Sequence, residues 1–62
     1  MKPKWKTAPA WAQFLVRDYE GYWRWFERYP RRGWHSWYPI AGRMQIVCKA
    51  YGKYSNWHTS ME

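Results

Sequence analysis

Arginines and aromatic rings alternate densely over residues 21–38, GYWRWFERYPRRGWHSWY. Aromatic side chains stack on nucleic-acid bases, which contributes about 1–3 kcal/mol per base and depends little on the base sequence. Arginines beside such rings hold phosphates and add cation–π attraction. The interleaving therefore predicts a surface suited to single-stranded nucleic acid. The candidate contact residues are Tyr22, Arg24, Phe26, Arg28, Arg31, Arg32, Trp34 and Arg43.

The chain is strongly basic, with 11 Lys and Arg residues against 4 Asp and Glu, a net charge of +7 and a pI near 9.9. A balance of this kind favours anionic partners such as nucleic acid, anionic lipid or an acidic protein surface. The alternative is a well-solvated surface with no such partner. Four of the six arginines lie between positions 24 and 32, and three lysines crowd the first six residues.

Catalysis is not indicated by the titratable residues. Hydrolytic or acid–base chemistry needs paired titratable groups held in a pocket. The internal carboxylates are Asp18, Glu20 and Glu27, and we expect the first two to be exposed in a flexible turn. Cys48 is a candidate nucleophile beside a histidine, but the role of a small buried hydrophobic residue is favoured. With no glycine-rich phosphate loop and no metal-ligand spacing, the sequence predicts a binding protein without metal or cofactor, not an enzyme.

The length and the cysteine count restrict how the chain can fold. A chain of 62 residues forms one domain near the lower limit for independent folding. Cys48 is the only cysteine, so seven Trp, six Tyr and two Phe must supply the core in place of disulfides. A homodimer would add buried area. The unpaired cysteine, the lack of a signal peptide and the lack of a long apolar run predict a location inside a cell, without a membrane partner.

A β-hairpin over residues 11–29 is the clearest structural prediction. Apolar residues alternate over residues 11–17, the period expected of a strand. Residues 18–21, DYEG, supply turn chemistry, and residues 22–29 are rich in the aromatic residues that strands favour. The two faces of the second strand are both aromatic, so one should pack on the core while the other is exposed or covered by the arms.

The remaining segments complete an all-β prediction. We expect a turn over residues 30–33, a short strand over residues 34–38, and a second turn over residues 39–42. Residues 43–51 fit a strand or a helix, and the β-branched Ile46-Val47 favours the strand. The predicted fold is a small three- to four-stranded antiparallel meander over residues 11–51. A flexible basic arm (residues 1–10) precedes it, with Trp5 as an anchor or a free stacking group, and a loose polar tail (residues 52–62) follows. The expected core residues are Phe14, Val16, Trp23, Trp25 and Trp37.

Residues 8–30 resemble a pattern found in small proteins of tailed bacteriophages and prophages. There, Ala-Pro-x-Trp-Ala precedes an apolar strand, an Asp-x-x-Gly turn, an aromatic strand ending in Phe/Tyr-Glu, and a proline. The resemblance implies a small phage accessory protein acting in the cytoplasm of a bacterial host, but these proteins are generally of unknown function and imply no functional residues. The matching residues are Ala8-Pro9, Trp11-Ala12, Asp18, Gly21, Trp25-Phe26-Glu27 and Pro30.

A looser similarity is to WW domains, whose three-stranded sheets grip proline-rich segments. Shared features are Trp11, the turn at Gly21, the aromatic run that follows it, and Trp34 or Trp37 near Pro39. The Pro-Arg-Arg-Gly loop and the single spacer between Trp37 and Pro39 depart from the family pattern. This similarity implies the alternative function, a protein-interaction module that docks on a host or phage protein.

Overall fold

The computed structural model describes residues 2–49 and 56–62, and its secondary structure there is almost entirely β. A short 3₁₀ turn lies near each end, at Trp5–Thr7 and Trp57–Thr59. The small all-β fold predicted from the sequence is confirmed. The strands are β1 (Phe14–Arg17), β2 (Tyr22–Phe26), β3 (Arg31–Arg32), β4 (Trp37–Tyr38) and β5 (Met44–Lys49).

The hairpin of β1 and β2 forms where the sequence predicts it, with Leu15 opposite Trp25. Asp18 organises its turn. One carboxylate oxygen accepts the backbone N–H of Tyr22 at 2.8 Å, and the other accepts Nη2 of Arg24 at 2.9 Å. Gly21 takes a φ of 99°, which glycine adopts without strain. The expectation that Asp18 is exposed is wrong: the residue is only 2% exposed, because its carboxylate bonds inward across the turn.

The main sheet has the order β1-β2-β5, with all pairs antiparallel. The strand predicted over residues 43–51 is confirmed for Met44–Lys49, while residues 50 and 51 lie outside the described part. A bulge between Trp23 and Arg24 shifts the β2–β5 register. Cys48 is exposed on β5, so its expected role as a buried hydrophobic residue is wrong.

Residues 31–38 form a separate two-stranded sheet between β2 and β5 in the chain. Arg31 pairs with Tyr38, and Arg32 pairs with Trp37. The connections therefore differ from a simple meander, because the β3–β4 sheet is inserted between two strands of the main sheet. Arg31 and Arg32, expected in a turn, are a strand, and the strand expected over residues 34–38 is confined to its last two residues. The loop between the strands is residues 33–36.

Both faces of the main sheet are covered, because successive side chains of a strand point to opposite sides and this chain places large rings on both. One face carries Leu15, Trp23 and Trp25, with Ala8, Trp11 and Ala12 packed against them. Trp5 lies T-shaped against Trp25, with ring centroids 4.9 Å apart. The interpretation of Trp5 as an anchor of the N-terminal arm is therefore confirmed.

The other face carries Val16 and Phe26, which are covered by Trp37 from β4 and by Trp57 from the C-terminal segment. The Trp37 and Trp57 rings meet edge to face at 5.9 Å, and Nε1 of Trp37 donates to the carbonyl of Arg17 at 3.2 Å. Of the predicted core residues, the two Trp of β2, Trp37 and Val16 are buried, and Phe14 is half-buried against this cluster.

The last residues of the chain pair with the outer edge of β1. The backbone groups of Leu15 and Glu62 exchange two hydrogen bonds, of 3.2 and 2.9 Å. The Ser60 hydroxyl accepts the N–H of Arg17 at 2.9 Å. The sequence predicts a loose tail over residues 52–62, so the backbone pairing of its last residues is a feature that the sequence did not predict. It closes an edge that would otherwise leave unpaired N–H and C=O groups.

Candidate functional site

An open groove of about 740 Å³ lies on the β3–β4 sheet. It combines cationic, aromatic and aliphatic side chains. We call it the hairpin groove. Its lining is Arg31, Arg32, Gly33, Trp34, Tyr38, Pro39 and Ile40.

Trp34 stands at the tip of this hairpin with 91% of its surface exposed. The backbone around it is held firmly. Gly33 donates its N–H to the carbonyl of Ser36 at 2.8 Å, and the carbonyl of His35 accepts the N–H of Tyr19 at 2.9 Å. The His35 and Tyr19 rings also lie 5.0 Å apart. An indole whose backbone is held in place and whose ring is exposed to solvent can stack on a nucleic-acid base.

Tyr38 forms the opposite wall, where its ring lies against the backbone of Gly33. A methyl group at Gly33 would collide with this ring. Tyr38 is 51% exposed, so one side of the ring remains accessible. The glycine therefore lets the Tyr38 ring lie close to the loop that carries Trp34.

Arg31 and Arg32 give the groove its positive charge, and neither forms an ion pair within the part of the chain that the structure describes. Among the described residues, the ion pairs join Arg24 to Asp18, Arg43 to Glu27, and Lys2 to Glu62. Neither Arg31 nor Arg32 takes part in them, and both are exposed. Their charges remain available to an anionic ligand.

Five of the eight predicted contact residues lie away from this groove, and three of these five are on β2. Phe26 is fully buried beneath Trp37 and Trp57, so its assignment to the binding surface is wrong. Arg24 is committed to Asp18, and its side chain is 16% exposed. Tyr22 is half-buried on β2. Phe26 is on the face of β2 that the C-terminal segment and β4 cover, whereas Arg24 is held by its ion pair with Asp18.

Arg28 and Arg43 belong to a second groove of about 580 Å³, which we call the Trp11 groove. Arg43 is held in place there. Its backbone N–H donates to Oε1 of Glu27 at 2.9 Å, Nη2 donates to Oε2 at 3.2 Å, and its guanidinium carbon lies 5.3 Å from the centre of the Trp11 ring. The side-chain hydrogen bonds from Arg43 lower the pKa of Glu27, and the same bonds raise the pKa of Arg43.

Tyr38, Pro39 and Ile40 are lining residues that the sequence interpretation missed. The exposure of Tyr38 could have been predicted, because neighbouring side chains of a strand point to opposite faces and Trp37 was expected in the core. Ile40 is 70% exposed and lies in a loop without periodicity. Nothing in the local sequence links it to the groove.

Within residues 2–49 and 56–62, no group of three or more His, Cys, Asp or Glu side chains is arranged to hold a metal ion. The same residues contain no helix with the length and apolar character needed to cross a membrane. A scan against protein-family models and searches of curated proteins and of solved structures find no match to this chain. Its function is therefore inferred from its own geometry and charge.

Proposed function

We propose that this chain is a small non-catalytic protein that binds nucleic acid through the hairpin groove. The observation that carries the proposal is the placement of Arg31 and Arg32, with no ion pair among the described residues, beside the 91% exposed ring of Trp34. A hydrophobic core does not need this arrangement, since Trp34 contributes almost nothing to burial. It suits a ligand that presents a flat ring next to a phosphate.

The chemistry favours an unpaired base. Trp34 and Tyr38 offer aromatic surfaces on which bases of any identity stack, at about 1–3 kcal/mol each. The guanidinium groups of Arg31 and Arg32 make bidentate hydrogen bonds to phosphate oxygens. Bases within a duplex already stack on each other, so an exposed indole gains most from a single strand. The net charge of +7 increases the rate of encounter with any polyanion.

The test is fluorescence anisotropy with a labelled single-stranded oligonucleotide, over a series of salt concentrations. The double variant Arg31→Gln/Arg32→Gln should bind more weakly and with a shallower salt dependence. The slope of log K against log [salt] should fall in magnitude by about 0.7 for each phosphate that the variant no longer neutralises. The matched control is Lys4→Gln/Lys6→Gln, which removes the same charge from the N-terminal arm.

A site is distinguished from general charge attraction by comparing the two double variants. If the groove binds the ligand, the arginine variant loses clearly more affinity than the lysine variant. Equal losses would mean that net charge alone attracts the oligonucleotide. Dissociation constants of the wild type no tighter than about 10⁻⁴ M, the weak end of non-specific binding, would overturn the proposal.

A second candidate function is docking on another protein, supported by exposed apolar residues on β5. Ile46 is 51% and Val47 38% exposed, and β-branched residues on an outer strand favour pairing with another strand. The partner in this case is a host or phage protein or a second copy of the chain. A nuclease-treated pull-down with wild type and Ile46→Lys tests binding to a host or phage protein. Sedimentation of the same two proteins tests pairing with a second copy of the chain.

The setting that we propose is a phage or prophage accessory protein in the cytoplasm of its bacterial host. Its support is the resemblance of residues 8–30 to small phage proteins. The position of the gene tests it, because neighbouring early regulatory genes would favour a nucleic-acid role. A gene outside any phage or prophage region would contradict the setting without affecting the binding proposal.

A further inference from the structure

The hairpin groove and the Trp11 groove are neighbours, because two short backbone segments join them. Arg28 and Tyr29 line the Trp11 groove, and Arg31 lines the hairpin groove. Three residues of extended chain span at most roughly 11 Å. A second short segment also connects the two grooves, since Ile40 lines the hairpin groove and Arg43, three residues later, lines the Trp11 groove. The nearest lining residues of the two grooves therefore lie within roughly 11 Å of each other along the backbone.

The Trp11 groove, like the hairpin groove, is lined by aromatic and arginine side chains. Tyr29 is 65% exposed, and its ring is braced by a T-shaped contact with Phe14 at 5.4 Å. Arg28 is exposed and makes no ion pair among the described residues, while Arg43 already holds Glu27. The groove thus offers one braced, exposed aromatic ring and one exposed guanidinium that makes no ion pair among the described residues.

We propose that the two grooves form one continuous track for a single strand several nucleotides long. One base stacks on Trp34 in the hairpin groove, and a base further along the strand stacks on Tyr29. Arg31 and Arg32 hold the phosphates at one end of the track, and Arg28 holds a phosphate at the other. This inference rests on the proposed function and adds the length of the ligand and a second subsite.

Oligothymidylates of increasing length, from about two to about sixteen nucleotides, test the track, since single-strand sites of this kind cover up to roughly that length. Short strands fill only one groove, so wild-type affinity should rise by about tenfold or more once the strand reaches the second. Tyr29→Ala should reduce affinity for the long strands by about 5- to 150-fold, the loss of one stacked base. It should change affinity for the shortest strand that binds by less than about twofold. Arg28→Gln should reproduce this pattern more weakly.

Tyr29→Phe is the matched control, because it keeps the ring and the contact with Phe14 and should retain long-strand affinity. Circular dichroism of each variant shows whether weaker binding comes from the altered side chain or from unfolding. Binding that depends on Trp34 at every length, with no effect of Tyr29→Ala, overturns the two-groove track and leaves the proposed function standing. An equal loss for short and long strands in Tyr29→Ala also overturns it. Failure of the wild type to bind any of the strands overturns both.

Discussion

The Tyr38 ring lies directly against the backbone of Gly33, at a distance that leaves no room for a Cβ atom. Gly33 has no positive φ, unlike Gly21 and Gly42. An alanine there suffers no backbone strain, and the only cost is the collision with Tyr38. Glycine at position 33 therefore serves to leave room for the Tyr38 ring in the wall of the hairpin groove.

Gly33→Ala should displace the Tyr38 ring and weaken oligonucleotide binding several-fold, with no change in charge. The measurement is anisotropy titration of Gly33→Ala, Tyr38→Ala and the double variant. Because both changes act through the same ring, their effects should not add. Fully additive losses would show that Gly33 acts on binding by another route.

Trp34 and Trp37 should separate binding from stability, although they lie close together in the sequence. Trp34→Ala removes an exposed ring and should leave the free energy of unfolding within about 0.5 kcal/mol of wild type, while binding weakens about 5- to 150-fold. Trp37→Ala removes a buried ring and should destabilise the fold by about 3–5 kcal/mol. Urea unfolding and anisotropy measure the two effects, and a large loss of stability in Trp34→Ala would contradict the assignment.

Asp18→Asn should destabilise the β1–β2 hairpin. The amide oxygen still accepts the N–H of Tyr22, but the charged partner of Arg24 is removed, at a cost of about 1.5–3 kcal/mol. Arg24→Gln removes the other partner of the same ion pair, so its cost should not add fully to that of Asp18→Asn in the double variant. Fully additive losses in urea unfolding would mean that the two side chains stabilise the fold independently.

The Glu27–Arg43 pair should give a pH-dependent contribution to stability. Hydrogen bonds from Arg43 lower the pKa of Glu27 below its ordinary value of 4.5. The contribution is therefore fully present above pH 4.5 and is lost as the pH falls through the lowered pKa. A carboxyl NMR titration should show the lowered pKa in wild type and a value nearer 4.5 in Arg43→Gln. A midpoint at or above 4.5 in wild type would contradict the pairing.

The parts of the fold that depend on local chemistry were open to prediction, and the parts that depend on distant segments were not. Asp18 and Gly21 mark a turn by their own chemistry, and the period-2 pattern before it identifies β1. The burial of Phe26 depends on Trp57, which lies in a polar segment far along the chain. Alternation shows that Phe26 and Trp25 point to opposite faces, but it does not show that both faces are covered.

The candidate site also combines features that could be predicted from local sequence with features that depend on distant segments. Arg31, Arg32 and Trp34 were identified by residue type, and they lie together because β3 and β4 pair. Arg24 and Phe26 have the same residue types, but Phe26 lies beneath Trp37 and Trp57 and Arg24 is paired with Asp18. Composition therefore predicted the chemistry of the ligand surface better than its location. Which arginines remain available depended on the positions of two carboxylates, Asp18 and Glu27.

The two ends of the described chain meet on the surface of the protein. Lys2 forms an ion pair with the side chain of Glu62, and the Trp5 indole N–H donates to the same carboxylate at 3.4 Å. A short peptide linker between residues 2 and 62 would therefore close the backbone into a ring with little rearrangement. Cyclisation restricts the unfolded chain and leaves the folded one unchanged, which raises stability through entropy. The hairpin groove lies in the interior of the sequence, so a circular version would carry it intact.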